Sequence, residues 1–361
     1  MNDRNVMLIE EFEAAIDWQA QHASENGAEC TARIVRALPK IRESNTELGR
    51  RMAAWAGLTL KDAMPLRVAG GLHHLVLTGT DTRLRAVYSG ELTNQEAVDA
   101  IILDLAETYD AQLAPWLDGP PQTNEAGRSA SIMAGLLWLA RRVVPRFELF
   151  EIGASAGVNT MLDRYRYRLG STEVGPSDSP MHIAPEWRGT GSPPAPSDEF
   201  AIVKVRGCDV ATINLGNPEN AMRLKAYVWP DAPQRMERID AAISLAKANP
   251  PDLVQMDAAE FAKLCLAGSQ KSGVTRAMFH SIMWQYMPTD TQDAITAAFE
   301  IAGEQATRDK PLAWISLETD PATFRHELKV RYWDGEEGHG EPVLLAHAHP
   351  HGAWVEWSGT D

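Results

Sequence analysis

The chain has 361 residues, of which 44% are hydrophobic and 23% charged, enough for one large or two modest packed domains. Its net charge of −15 disfavours duplex nucleic acid and anionic membrane surfaces as main partners, since both need a basic face. Cys30, Cys208 and Cys265 form no C-x-x-C pair and no even-numbered disulfide framework, which suits a reducing cytoplasm.

The N-terminus, Met1-Asn2-Asp3-Arg4-Asn5 leading to Leu8-Ile9-Glu10-Glu11-Phe12, is too charged for a signal peptide, and no apolar run is long enough to span a bilayer. Residues 8 to 115 read as helical. Val98, Ile101, Ile102, Leu105 and Tyr109 recur at helical spacing and put one stripe on a core. Ile34, Leu38 and Ile41, then Leu48, Met52 and Trp55, mark earlier helices, with Pro39 and Pro65 as punctuation. Leu72–Leu77 fits a helix or a strand. Gly119-Pro120-Pro121 marks a boundary, so the expected division is a helical domain over 1–118 and a second domain over 119–361.

A further helix is predicted from Ile132, Met133, Leu136, Leu137 and Ala140, closed by Arg141, Arg142 and Pro145. Short apolar runs then alternate with helices. The predicted strands are 148–152, 201–205, 252–256, 277–280 and 312–317. The predicted helices are 159–165, 219–228 with 234–247, 258–266 and 290–307. This alternation specifies an α/β domain with a mostly parallel sheet. The Gly-, Pro- and Ser-rich stretch at about 165–198 interrupts it as an insertion, in which Tyr165–Leu169 and Met181–Ala184 can form a ribbon. Near the C-terminus, 327–333 and 342–346 flank an acidic, Gly-containing loop and read as an antiparallel hairpin. The chain has no internal repeat or low-complexity tract.

Ligands of open α/β sheets bind beyond the carboxyl ends of the strands, so the residues closing each strand carry the functional reading. The first strand runs into Glu151-Ile152-Gly153-Ala154-Ser155-Ala156-Gly157, a turn of small residues opening toward Asn159. Such a turn brings bare backbone N–H groups to a ligand. The carboxylate two residues before the first Gly suits a ligand with an ammonium or hydroxyls, such as the methionine and ribose parts of S-adenosylmethionine. Gly153, Ser155, Gly157 and Asn159 then join Glu151 as cofactor-binding candidates. Asp209 closes the second strand and can accept ribose hydroxyls, and Asp257 closes the third and can accept from an adenine amino group. Each position alone is equally an ordinary loop or N-cap residue.

His280 ends the fourth strand and is the general-base candidate, because imidazole titrates near neutrality; a buried histidine with a backbone partner is the alternative. Trp284 and Tyr286 follow it, and with Trp229 and Glu318 they are candidates to line the substrate site. In Gln122–Ser129, Glu125 is a second catalytic candidate, and Asn124 and Arg128 are substrate-binding candidates. Glu125 and Arg128, one turn apart, equally suit a surface salt bridge. His351 is the third catalytic candidate. His347, His349 and His351 alternate on a predicted strand and invite a metal reading, but Pro350 breaks their shared face, so no metal is assigned. No G-x-S-x-G elbow or P-loop occurs.

Several segments together resemble a bacterial protein family known as a domain of unknown function. They are Gln122–Ser129, Glu151–Gly157 with Asp163–Tyr167, Val228–Asp231, Phe279–Ser281, and His349–Gly352 with Trp354, Glu356 and Trp357. The resemblance implies a core similar to the class I, Rossmann-like S-adenosylmethionine-dependent methyltransferases, behind a helical N-terminal extension. The leading expectation is a cytoplasmic methyltransferase with S-adenosylmethionine as cofactor and a small-molecule acceptor. The alternatives are a methyltransferase-like binding or regulatory protein, motivated by Ser155 in place of Gly, and a metal-dependent hydrolase using the C-terminal histidines.

Overall fold

The computed structural model describes residues 8–189, 191–336 and 340–359. Met1–Asn5 and residues 337–339 of the acidic loop lie outside them. The chain forms two compact units. The first is the described part of Met1–Thr123 with Asn217–Glu237, and the second is Asn124–Gly216 with the described part of Arg238–Asp361. The helical unit therefore takes a segment that the sequence pattern places in the α/β alternation.

In the helical unit, helices Phe12–Glu25, Glu29–Arg42, Met64–Leu77 and Gln95–Thr108 carry the main core. Ile34, Leu38 and Ile41 meet Val68, Leu72, Val98, Ile102 and Leu105, all at most 1% exposed. Leu72–Leu77 is thus helical, and Pro39 lies inside its helix near the end rather than stopping it. Three helices of this unit are capped from their own sequence among the described residues: Thr46 accepts from the Gly49 N–H, Asn94 from the Ala97 N–H, and Asn217 from the Glu219 and Asn220 N–H groups at the start of helix Pro218–Ala226. Helix Glu29–Arg42 has no side-chain cap from Ala28. Asp231 supplies one from two hundred residues away. Its Oδ1 accepts from the Cys30 N–H at 2.8 Å, and its Oδ2 from the Thr31 N–H at 2.9 Å and the Thr31 hydroxyl at 2.7 Å.

The second unit is built on a nine-stranded sheet. Its strands are β1 (Arg146–Ile152), β5 (Glu186–Arg188), β6 (Ala201–Asp209), β7 (Leu253–Gln255), β8 (Thr275–Ser281), β9 (Leu312–Thr319), β10 (His326–Trp333), β11 (Val343–Ala348) and β12 (Trp354–Trp357). They lie in the order β5-β12-β11-β10-β9-β8-β1-β6-β7. The five strands β7-β6-β1-β8-β9 pair in parallel, and the strand order reverses between β1 and β8, the switch point of a doubly wound, Rossmann-like sheet. The expected antiparallel hairpin is β10–β11. It is extended by β12, antiparallel to β11, and by β5 from the insertion, parallel to β12. The rest of the insertion makes a small sheet of β2 (Arg166–Leu169), β3 (Thr172–Val174) and β4 (His182–Ile183). Here β2, within the predicted segment Tyr165–Leu169, and the Met181–Ala184 segment pair in parallel, with β3 forming the hairpin on β2.

Helices cover the two faces of this sheet. Ser129–Leu139 is apolar on all sides and fully buried. Its Gly135 sits against Ile315, Leu328 and Val330. Helix Thr289–Gly303 covers the opposite face, where Phe299 stacks on Trp314 with ring centroids 4.4 Å apart. Trp314 and Ile315 are consecutive, so their side chains mark the two faces.

Candidate functional site

At the end of β1 the backbone turns through three left-handed residues: Gly153 (φ 70°), Ser155 (φ 51°) and Gly157 (φ 71°). The turn is fixed from several directions. The Ala154 N–H donates to the Cys208 carbonyl at 2.8 Å, and the Gly157 N–H to the Ala154 carbonyl at 2.7 Å. Ser155 N–H donates to Asp209 Oδ2 at 2.9 Å, and Val158 N–H to Asn124 Oδ1 at 2.8 Å. Below the turn, the Tyr165 hydroxyl donates to the Val158 carbonyl, and the Tyr167 hydroxyl to the Leu162 carbonyl at 2.9 Å. The bare N–H groups expected at this turn are therefore already accepted at four positions. The chain continues as a 3-10 helix, Asn159–Arg164, in place of the expected α-helix.

Glu151 is 1% exposed, and its Oε2 has no hydrogen-bond partner; the same holds for both amide atoms of Asn159, also 1% exposed. Burial holds the Glu151 carboxyl well above the usual range, the Arg128 guanidinium opposes this, Asp209 adds to it, and the Asn159 amide alongside also lowers it. Arg128 is itself buried, with Nε donating to the Pro350 carbonyl at 2.8 Å and Nη1 to the Ser281 carbonyl at 3.3 Å. It thus ties the His349–Gly352 loop to the end of β8. That loop lies flat on the Arg128 turn: a Cβ on Gly352 would come within 2.3 Å of the Gly127 backbone. The Oε1 of Glu125 accepts from Arg238 Nε at 3.0 Å and from the Gly127 N–H at 3.2 Å, and Glu125 is buried.

The structure thus gathers Glu151, Asn159, Arg128, Asp209 and Asn124 around the turn of Gly153, Ser155 and Gly157. His280 is placed differently. In the sheet register Glu151 stands opposite Phe279, so Glu151 and the next residue along, His280, project to opposite faces. His280 Nε2 accepts from the Trp314 indole at 2.9 Å. An indole N–H only donates, so His280 Nδ1 carries the proton and donates to Glu318 Oε1 at 2.7 Å. Neither ring nitrogen is left to take a proton from a substrate. Glu318, the expected substrate contact, also accepts from the Met283 and Trp284 N–H groups. Trp284 stacks on His280, with centroids 4.9 Å apart, and Tyr286 is 73% exposed.

Asp257 caps helix Ala258–Ala267, its Oδ1 accepting from the Ala259 and Glu260 N–H groups. Trp229 belongs to the helical unit, where it packs on Ala23, Ala28 and Ala32. The His351 N–H donates to His349 Nδ1 at 3.1 Å. Among the described residues, no group of three or more His, Cys, Asp or Glu side chains is arranged to hold a metal ion.

Four contributors escape the sequence reading: Tyr165, Tyr167, Arg238 and Met283. The tyrosines have a signal, the alternation Tyr-Arg-Tyr-Arg at 165–168, which buries one face of the strand. Arg238 has none, since its partner is 113 residues away.

The fold and these contacts define a two-unit protein in which buried polar atoms without a hydrogen-bond partner, Glu151 Oε2 and the Asn159 amide, lie at the switch point of a Rossmann-like sheet. The chain belongs to a bacterial family described as "Uncharacterized protein conserved in bacteria" (DUF2332), which it matches over residues 13–357. No curated protein and no solved structure shows significant similarity to it. No described helix is long and apolar enough to cross a membrane.

Proposed function

We propose that the protein is an S-adenosylmethionine-dependent methyltransferase acting on a small molecule. The observation that carries this reading is the group of buried atoms without a hydrogen-bond partner, Glu151 Oε2 and the Asn159 amide, beside the β1 turn at the switch point. Buried polar atoms are nearly always hydrogen-bonded, so neighbouring exceptions at the switch point of such a sheet support a ligand position there. They fit an α-amino acid group. Glu151 Oε2 would accept from its ammonium, and Asn159 Nδ2 would donate to its carboxylate, with the Arg128 charge nearby. Asp209 is half-buried and spends one lone pair of each oxygen on the Ser155 and Ala211 N–H groups, leaving others for ribose hydroxyls. Asp257 is exposed, and beyond its capping role it would accept from the adenine amino group. When bound, the cofactor's sulfonium supplies an activated methyl group. The residues of this chain orient it and exclude water, which is most of what such a transfer needs.

The occupied nitrogens of His280 and the Arg238 ion pair of Glu125 favour a second reading, a binding or regulatory protein that holds the same ligand without turnover. Titration calorimetry of the full chain with S-adenosylmethionine tests the first reading, and absence of heat at millimolar cofactor refutes it. S-adenosylhomocysteine release over an acceptor panel separates the two: binding with no release on any acceptor favours the second.

A further inference from the structure

Beyond Ser281, where β8 ends, the chain runs on as a strap, residues 282–284, in a backbone that its sequence does not favour. Ile282 has φ 51°, and a β-branched residue in the left-handed region is a genuine outlier. Such strain persists only when its surroundings over-determine it. They do so here. The Ile282 N–H donates to the Leu317 carbonyl at 2.9 Å. The Met283 N–H reaches both Glu318 oxygens, at 3.2 and 3.1 Å, and the Trp284 N–H reaches Oε2 at 3.3 Å. Glu318 is itself held by His280, and His280 by the buried Trp314 indole. A chain of hydrogen bonds thus runs from the core to Met283 and Trp284, and the Leu317 carbonyl holds Ile282 separately.

The outcome of this anchoring is the position of one side chain. Met283 rests on Gly153, the first residue of the β1 turn. A Cβ built there would lie 2.8 Å from Met283 Cε and 2.9 Å from its Cγ. Gly153 opens the turn that follows Glu151, so Met283 covers the first residue of that turn. Met283 is half-buried and unbranched, with several rotatable bonds, so it can swing without moving the strap.

We propose that Met283 is a gating residue: it covers Gly153 until a ligand takes its place, while Glu318, His280 and Trp314 act as positioning residues that keep the strap fixed, so that opening is a side-chain movement. This rests on the β1 turn being the ligand site. A ligand that must displace a side chain binds more weakly by the fraction of time the site is open.

The test uses the full chain, S-adenosylmethionine as probe, and the variants Met283→Ala and Met283→Trp. Calorimetry is expected to show Met283→Ala binding at least about tenfold more tightly than the unsubstituted protein, and Met283→Trp at least about tenfold more weakly, each about 1.4 kcal/mol. With 13C-methyl-labelled methionine, the Met283 resonance, assigned by its loss in Met283→Ala, is expected to shift at saturation. Equal affinities with an unmoved methyl resonance overturn the gate and leave the cofactor reading standing. Binding by none of the three proteins overturns both.

Discussion

Replacing Glu151 by Gln separates a ligand-binding carboxylate from a structural one, because the two roles predict opposite signs. Glu151 is 1% exposed, its Oε2 lacks a partner, and burial raises its pKa well above the usual value. A carboxyl of this kind stays protonated in the fold after it has ionised in the unfolded chain, so it subtracts stability as pH rises from its unfolded pKa toward its folded one. Gln is close to isosteric with the protonated acid and cannot ionise. It also brings an NH2 group beside Asn159, whose Oδ1 is unpartnered. One new hydrogen bond contributes about 1 kcal/mol, which corresponds to a rise in melting temperature of about 2–4 °C for a unit of this size. Glu151→Gln is therefore expected to be as stable as the parent at pH 8, or more so, by differential scanning calorimetry. Binding moves the other way. A hydrogen bond to a charged group contributes about 1.5–3 kcal/mol, so losing the ammonium–carboxylate contact weakens S-adenosylmethionine about 10- to 150-fold. A fall of several degrees in melting temperature would show that Glu151 works as an anion paired with Arg128. Unchanged affinity would remove it from the ligand site.

The same linkage gives a pH profile. Glu151 must release its proton to receive an ammonium, so affinity is expected to rise up to about tenfold per pH unit between the usual carboxyl pKa and its raised one, then fall above about pH 8 as an α-amino group deprotonates; Glu151→Gln should lose the rising limb in calorimetry. Asp231→Ala removes the remote cap of helix Glu29–Arg42 and is expected to destabilise the helical unit by about 1–2 kcal/mol in urea unfolding, with Asp231→Asn losing less. His73 is buried, with its Nδ1 3.1 Å from the Ala226 carbonyl, and burial pushes its pKa down to about 4. Since the unfolded chain takes up this proton first, stability should be intact above about pH 6.5 and fall by about 3 kcal/mol on the way to pH 4, a loss that His73→Gln abolishes in unfolding curves.

The strands at the centre of the sheet were legible in the sequence because each is a short apolar run between turn residues. The turn at 153–157 was legible because small residues follow a run ending in an acid. What escaped depends on pairing. Whether His280 joins Glu151 is set by β-sheet register, which puts Phe279 opposite Glu151 and turns His280 away. No local pattern encodes that parity. Asp231 as the cap of a helix beginning at Glu29, and Arg238 as the partner of Glu125, are likewise long-range pairings. The insertion misled in another way: the two predicted ribbon strands pair in parallel, because the Gly170-Ser171 turn brings β3 back onto β2 and the chain then passes to the other edge.

Carboxylates at three successive strand ends looked equivalent in the sequence, and hydrogen-bond accounting separates them. Every buried polar group needs a partner, so the partners already present show which groups are committed to the fold. Asp257 is exposed, and one of its oxygens is committed to a helix N-terminus. Asp209 gives one bond from each oxygen to the backbone of the turn and its own loop. Glu151 is the most deeply buried of the three and retains an oxygen with no partner. Applied to His280, the same accounting leaves no free nitrogen, which turns a residue expected to act on substrate into one that holds a strap. The two results bear on one place. The strap sets Met283 on Gly153, two residues from Glu151, so the groups committed to the fold position the side chain that the proposed ligand of Glu151 would displace.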